Sequence, residues 1–213
     1  MQPLTDEQIR VLGAMIEKCH TTPDYYPMTV NAISTACNQK SNRDPVVSYD
    51  DRIVTAALAQ LREQNLVFEV HTHDSRVVRY KQSLADELSL TPAEEALLSV
   101  LLLRGPQTGG ELRGRSGRLH HFDSLPEVQS TLEQLARREL VACLPRPAGK
   151  KASPYTHLLG QISELEAPPT PPMPQTPPPD RIDQLAFEVD QLRQELAELR
   201  LTVQRMQPHS APE

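Results

Sequence analysis

Apolar positions three and four apart mark Leu4–Lys18 (LTDEQIRVLGAMIEK) as an amphipathic helix, and the same pattern returns at Leu90–Arg104 (LTPAEEALLSVLLLR). Both stretches open with Leu-Thr. In each, the threonine is placed to cap the helix, and Gln8 or Glu94 three residues on completes a capping box. Pro92 falls at the first helical position, where its missing N–H does no harm. A second correspondence sets Leu58, Leu61, Leu66, Val67 and Val70 against Leu132, Leu135, Leu140, Val141 and Leu144 at a constant offset. That spacing predicts a helix, a turn and a strand. Polar turn residues follow, then a second extended run, Arg76–Lys81 or Pro154–Leu159, with Tyr80 matching Tyr155, so each copy closes with a β-hairpin. A shorter helix, Thr29–Cys37 or Gly110–Ser116, lies between the first helix and the last.

Each unit therefore reads as three helices plus a β-hairpin. A lone hairpin cannot bury its apolar face and must pack beside the helices, which predicts the winged variant of the helix-turn-helix. The fold class is α+β, mainly α, with two tandem winged-helix domains at residues 1–83 and 84–163. Eight of the 20 prolines fall in Pro168–Pro179 (PPTPPMPQTPPP), too many missing N–H donors for helix or sheet, so residues 164–180 form a Pro-rich linker. An SH3 or WW ligand is the second reading of that tract. Beyond it, Ile182, Leu185, Val189, Leu192, Leu196, Leu199, Val203 and Met206 recur at alternating spacings of three and four, a heptad seam within residues 181–207. Mostly β-branched residues at one core position and leucines at the other favour a parallel two-stranded coiled coil, so the chain is expected to be a homodimer. In that arrangement Glu188 and Glu195 face Arg193 and Arg200 of the partner chain. The alternative is a lone helix lying on the body.

Composition adds where the charge sits. The net charge of −6 comes almost wholly from residues 164–213, which carry 9 of the 28 acidic and only 4 of the 22 basic residues. No apolar run is long enough to span a bilayer and the start lacks a signal pattern, so no membrane association and a cytoplasmic location are expected. Cys19, Cys37 and Cys143 form no C-x-x-C pair and sit in apolar surroundings, which predicts reduced, buried thiols. No nucleotide-loop, zincin or nucleophile-elbow motif is present, so no enzyme, catalytic residue, metal or cofactor is expected. Gly109, Gly110, Gly114 and Gly117 could suggest a phosphate cradle, but with no strand predicted before them they read as a loop entering a helix. His71, His73, His120 and His121 lack the neighbouring ligands of a metal site.

The third helix of a winged helix usually enters the major groove, yet here the first copy begins Ser48-Tyr49-Asp50-Asp51-Arg52 and the second carries Ser124, Glu127 and Glu133. Asp50, Ser124 and Glu127 have a local explanation as caps and first-turn acids. Positive charge gathers elsewhere: Lys40 and Arg43 with Asn42, then Arg113, Arg115 and Arg118, then Arg146, Lys150 and Lys151 on the second hairpin. Between Arg104 and Lys151 there are 9 basic and 5 acidic residues. These are the candidate nucleic-acid contacts, the last six for phosphates and Lys40, Asn42 and Arg43 for sequence.

The runs Thr21–Pro27 (TTPDYYP), Ala36–Val46 (ACNQKSNRDPV) and Leu101–Arg113 (LLLRGPQTGGELR) resemble the bacterial YceH-like family of unknown function, over about residues 4–160. The resemblance implies a tandem winged-helix fold and supplies no activity or ligand. The leading expectation is a regulatory DNA-binding or DNA-associated protein. Its rival is a non-enzymatic adaptor whose winged helices bind other proteins.

Overall fold

The computed structural model describes residues 2–71 and 77–160. These belong to a unit spanning Met1–Leu165; a second unit, Glu166–Glu213, lies outside the described residues, as do the Pro-rich linker, the heptad positions Ile182 to Met206 and His73.

Thr5 caps α1 (Asp6–Thr21) as its spacing predicts, its hydroxyl accepting the Gln8 N–H while the Gln8 side chain accepts the Thr5 N–H at 2.8 Å. The same box, Thr91 with Glu94, opens α5 (Pro92–Arg104), and Pro92 stands at its start. Between them lie a short 3₁₀ turn at Pro23–Tyr25, α2 (Val30–Cys37) and α3 (Asp51–Glu63). An antiparallel hairpin follows, β1 (Val67–Val70) with β2 (Arg79–Gln82), and then a single helical turn, α4 (Leu84–Glu87). The second half repeats the order with β3 (Gln107–Thr108), α6 (Gly109–Ser116), α7 (Leu125–Arg137), β4 (Val141–Cys143) and β5 (Pro154–His157). Among the described residues the chain is thus α+β, about half helical, with two small antiparallel sheets. No helix there is long and apolar enough to cross a membrane.

The duplication extends to strand register. Tyr80 lies opposite Glu69 in the first hairpin and Tyr155 opposite Cys143 in the second. The second sheet has a third strand, in the order β3-β5-β4, beyond the hairpin expected from the sequence. Two residues, the second of them the cap of the next helix, are too few to show an alternating pattern. In the first half its counterpart is a single bridge, in which Met28 and Tyr80 exchange backbone hydrogen bonds at 3.0 and 2.7 Å.

The two halves meet through their first helices. Residues 94–103 of α5 are buried without a break, as are residues 8–17 of α1, so neither helix keeps a solvent face over that stretch. Close approach requires Gly13, where a Cβ would come 3.0 Å from the Leu102 Cβ and 3.1 Å from the Leu103 side chain. The Gly13 carbonyl also accepts the Ser99 hydroxyl at 3.4 Å. A backbone bond from the Leu4 N–H to the Leu159 carbonyl, 2.8 Å, ties the N-terminus to the end of the second half.

This contact makes a stability prediction. Gly13→Val is expected to lower the free energy of unfolding by about 1–3 kcal/mol through overpacking. Urea titration followed by far-UV circular dichroism checks it, since the chain has no tryptophan. Both halves are expected to unfold in one transition, and two separated transitions would contradict the shared core.

Candidate nucleic-acid interface

The cations singled out in the sequence separate into inward and outward groups. Arg43 turns inward: its side chain is 0% exposed, and its Nη2 lies 2.6 Å from Oε2 of the buried Glu17. It also donates to the Ala36 carbonyl through Nε and Nη2, at 3.1 and 2.9 Å, and to the Asn42 carbonyl at 2.9 Å. Arg43 is therefore a structural ion pair and cannot read bases or phosphates from this position. Asn42 takes a left-handed backbone, φ 58°, and its Oδ1 accepts from Arg104 Nη1 at 3.0 Å. Its amide likewise serves the fold. Asn38 brackets Tyr49, donating to its carbonyl and accepting its N–H at 2.8 and 2.7 Å, so the loop from α2 to α3 is held at both ends. Of this loop's candidates, Lys40 alone is exposed with no side-chain partner among the described residues.

In the second half, Arg113 braces α6 against the start of α7, donating to the carbonyls of Phe122 and Asp123 at 3.3 and 2.6 Å. Arg115 donates to Gln107 Oε1 at 2.5 Å and lies 3.6 Å from Glu111. Both side chains still reach solvent, but their guanidinium groups are partly committed. Arg118 is 66% exposed, with only a 3.7 Å approach to Glu17. Arg146, Lys150 and Lys151, on the turn between β4 and β5, are exposed and make no side-chain hydrogen bond or ion pair among the described residues.

The electrostatics link these groups. Burial holds the Arg104 guanidinium below its usual pKa, and Arg115 and Arg43 add repulsion. The Glu111 carboxyl is lowered chiefly by hydrogen bonds from the Thr108 backbone and hydroxyl, and further by Arg115 and Lys150. Arg104 thus feels both Arg43 and Arg115, and Glu111 feels both Arg115 and Lys150. Glu111 also settles the glycine-rich stretch. Its carboxylate accepts the Thr108 N–H and hydroxyl, both at 2.9 Å, and so occupies the start of α6 where a phosphate would sit.

The third helices begin as their sequences imply. Asp50 accepts the Ile53 N–H at 2.9 Å, and Ser124 accepts that of Glu127 at 3.3 Å. Glu127 reaches back to the Asp123 N–H at 2.9 Å. Asp50 and Ser124 thus cap the helices, Arg52 is the one cation in the first turn of α3, and the first turn of α7 has none. Among the described residues no cluster of histidine, cysteine and carboxylate could hold a metal ion. His71 is exposed beside Glu69, and His120 stacks edge-on against Phe122 at 4.7 Å. Cys143 is exposed, because β4 turns that side chain to solvent, and Cys19 is only half-buried, correcting the expectation of three core thiols. Cys37 is buried and its thiol is pushed up to about 12 by desolvation. Tyr26 is likewise structural, its hydroxyl accepting the Gln82 N–H at 2.6 Å, whereas Tyr25 stands in solvent.

A family described as a protein of unknown function, DUF480, matches residues 4–150. A UPF0502 protein of Opitutus terrae is 50% identical over 196 residues, covering 89% of this chain and 83% of its own. One of Pelobacter propionicus is 44% identical over 211 residues, 94% of either chain. One of Vibrio atlanticus is 41% identical over 213 residues, 95% of this chain and 98% of its own.

The buried pair yields a second stability prediction. Glu17→Gln leaves the Arg43 charge enclosed without its counter-ion and is expected to cost about 3–5 kcal/mol. Adding Arg43→Met should restore part of that loss. A double variant no more stable than Glu17→Gln alone, in urea denaturation, would contradict the coupling.

Proposed function

The chain belongs to the DUF480 family of unknown function, and we propose that it is a tandem winged-helix protein that associates with double-stranded DNA in a regulatory role. Support for the winged-helix reading is the repeated order of three helices and a hairpin, with a short extra strand or bridge ahead of the middle helix. The observation that carries the DNA reading is the group Arg146, Lys150 and Lys151, exposed and unpaired among the described residues on the second hairpin turn, with Arg115 and Arg118 on neighbouring α6 and its end. A wing with three free cations is suited to phosphate oxygens. Recognition through the third helices is opposed by Asp50, Asp51 and Glu127, so contact is made mainly with the backbone and discriminates weakly between sequences.

A second reading rests on a different surface. In the first half, Ile53 on α3 and Phe68 on β1 are exposed large apolar side chains, Phe68 at 50%. They favour a protein partner for that half, as an adaptor would have. Homodimerisation through Ile182, Leu185, Val189, Leu192, Leu196, Leu199, Val203 and Met206 belongs to the same proposal and rests on heptad spacing.

Fluorescence anisotropy of the full chain on a random-sequence duplex tests the first reading. Affinity is expected to fall roughly a hundredfold between about 50 and 200 mM salt if some four phosphates are contacted. Lys150→Glu combined with Lys151→Glu should weaken binding on every duplex and reduce the salt slope by about two. No binding at low salt, or an unchanged slope in the double variant, would exclude the hairpin turn as a phosphate grip. For the zipper, sedimentation of the full chain is expected to give a concentration-dependent dimer that is absent after truncation at Ser163; a monomer in both refutes it.

A further inference from the structure

A cleft of about 480 Å³ opens where the first turns of α1 and the loop before α3 face the end of α5 and the exit of β5. Its size is within the range of small-molecule sites. Buried side-chain nitrogens and oxygens normally have partners. Among the described residues three lack one, and two of them, Arg10 Nη1 and His157 Nδ1, belong to side chains lining this cleft.

Arg10 is the stronger signal. It is 4% exposed and donates through Nη2 to the Pro45 carbonyl at 2.7 Å. No carboxylate stands within 4.0 Å of its guanidinium among the described residues. A buried cation ordinarily has a counter-ion, as the neighbouring Arg43 has in Glu17. Burial and the Arg43 charge both press Arg10 toward its neutral form. His157 is held below its usual pKa by desolvation, so its ring is neutral at pH 7 and offers one N–H. Ile9, Leu102 and Leu158 supply apolar wall, and the acids Asp6, Glu7 and Asp44 also line the cleft, where Asp44 favours the charged form of Arg10 and Asp6 that of His157 without offsetting burial.

We propose that this cleft binds a small apolar monocarboxylate, its carboxylate accepting from Arg10 and His157 and its hydrocarbon body lying on Ile9, Leu102 and Leu158. A single carboxylate gives both unpartnered nitrogens an acceptor, His157 in its Nδ1–H tautomer, and supplies the close ion pair that Arg10 lacks. Residues from both halves line the cleft, so the ligand ties the first half to the second. The inference is independent of DNA binding.

Isothermal titration of the full chain with 4-methylpentanoate and 3-phenylpropionate is the test, beside the matched amines 3-methylbutylamine and 2-phenylethylamine and inorganic phosphate. The acids are expected to bind saturably at one site per chain, and the amines and phosphate not at all. Arg10→Lys and His157→Gln should each weaken the acids about tenfold, the size expected for one charge-assisted hydrogen bond. Circular dichroism confirms that the variants melt cooperatively; if either does not fold, the comparison of acid with amine on the native chain decides alone. Absence of saturable binding by the acids, equal binding by the amines, preference for phosphate, or undiminished binding in both folded variants overturns the proposal.

Discussion

A helix packed on every side must find an internal partner for each polar side chain it carries, and α1 carries three in its buried stretch. Gln8 donates to Gln60 of α3 at 2.8 Å, Arg10 to the Pro45 carbonyl, and Glu17 receives Arg43. Two of the three partners come from the loop between α2 and α3. That loop is consequently fixed by α1, and Arg104 at the end of α5 fixes it again through Asn42. The Asp44 N–H adds a backbone bond to the Leu103 carbonyl at 2.9 Å. A polar run with the composition of a nucleic-acid loop is here the joint between two halves, because a buried carboxylate and a buried helix end need its donors more strongly than solvent does.

Local rules were legible in the sequence wherever the deciding residues lie within one turn of each other. The capping boxes at Thr5 and Thr91, the caps at Asp50 and Ser124, and the paired helix and hairpin spacings all depend on neighbours three or four positions away. The fate of Arg43 depends on Glu17, 26 residues earlier, and nothing in either stretch announces the pair. Glu17 does carry a faint signal, an acid in the midst of an otherwise apolar helix. The stretch Ala96–Leu103 of α5, apolar but for Ser99, marks a helix without a wet face, but the sequence does not say that α1 is what covers it. Arg10 and His157 are 147 positions apart in the chain and meet at one cleft only through tertiary packing, so no spacing rule could have joined them.

The two halves share a plan and divide the charge differently. The first half turns Arg43 inward and presents Ile53 and Phe68, while the second leaves Arg146, Lys150 and Lys151 on its hairpin turn. Helix α1 buries Gln8, Arg10 and Glu17, and α5 likewise buries Glu94, Glu95 and Ser99, with Glu95 meeting His20 of α1 at 2.8 Å and Gln82 at 3.1 Å. Polar locks come from both sides of the joint: Arg43 closes on Glu17 in the first half, and Glu95 and Ser99 of α5 reach His20 and the Gly13 carbonyl of α1. Gly13 shows what that closure demands, since even one Cβ there meets Leu102 and Leu103 at about 3 Å. With their first helices committed to each other, the two halves present among the described residues their middle and third helices, their hairpins and the cleft at the joint. Their chemistry differs: capping Asp50 and Ser124 at the starts of the third helices, exposed cations on the second hairpin turn, and two unpartnered nitrogens in the cleft. Packing α1 on α5 removes both first helices from the surface alike, so the difference between the halves lies in what their third helices and hairpins carry.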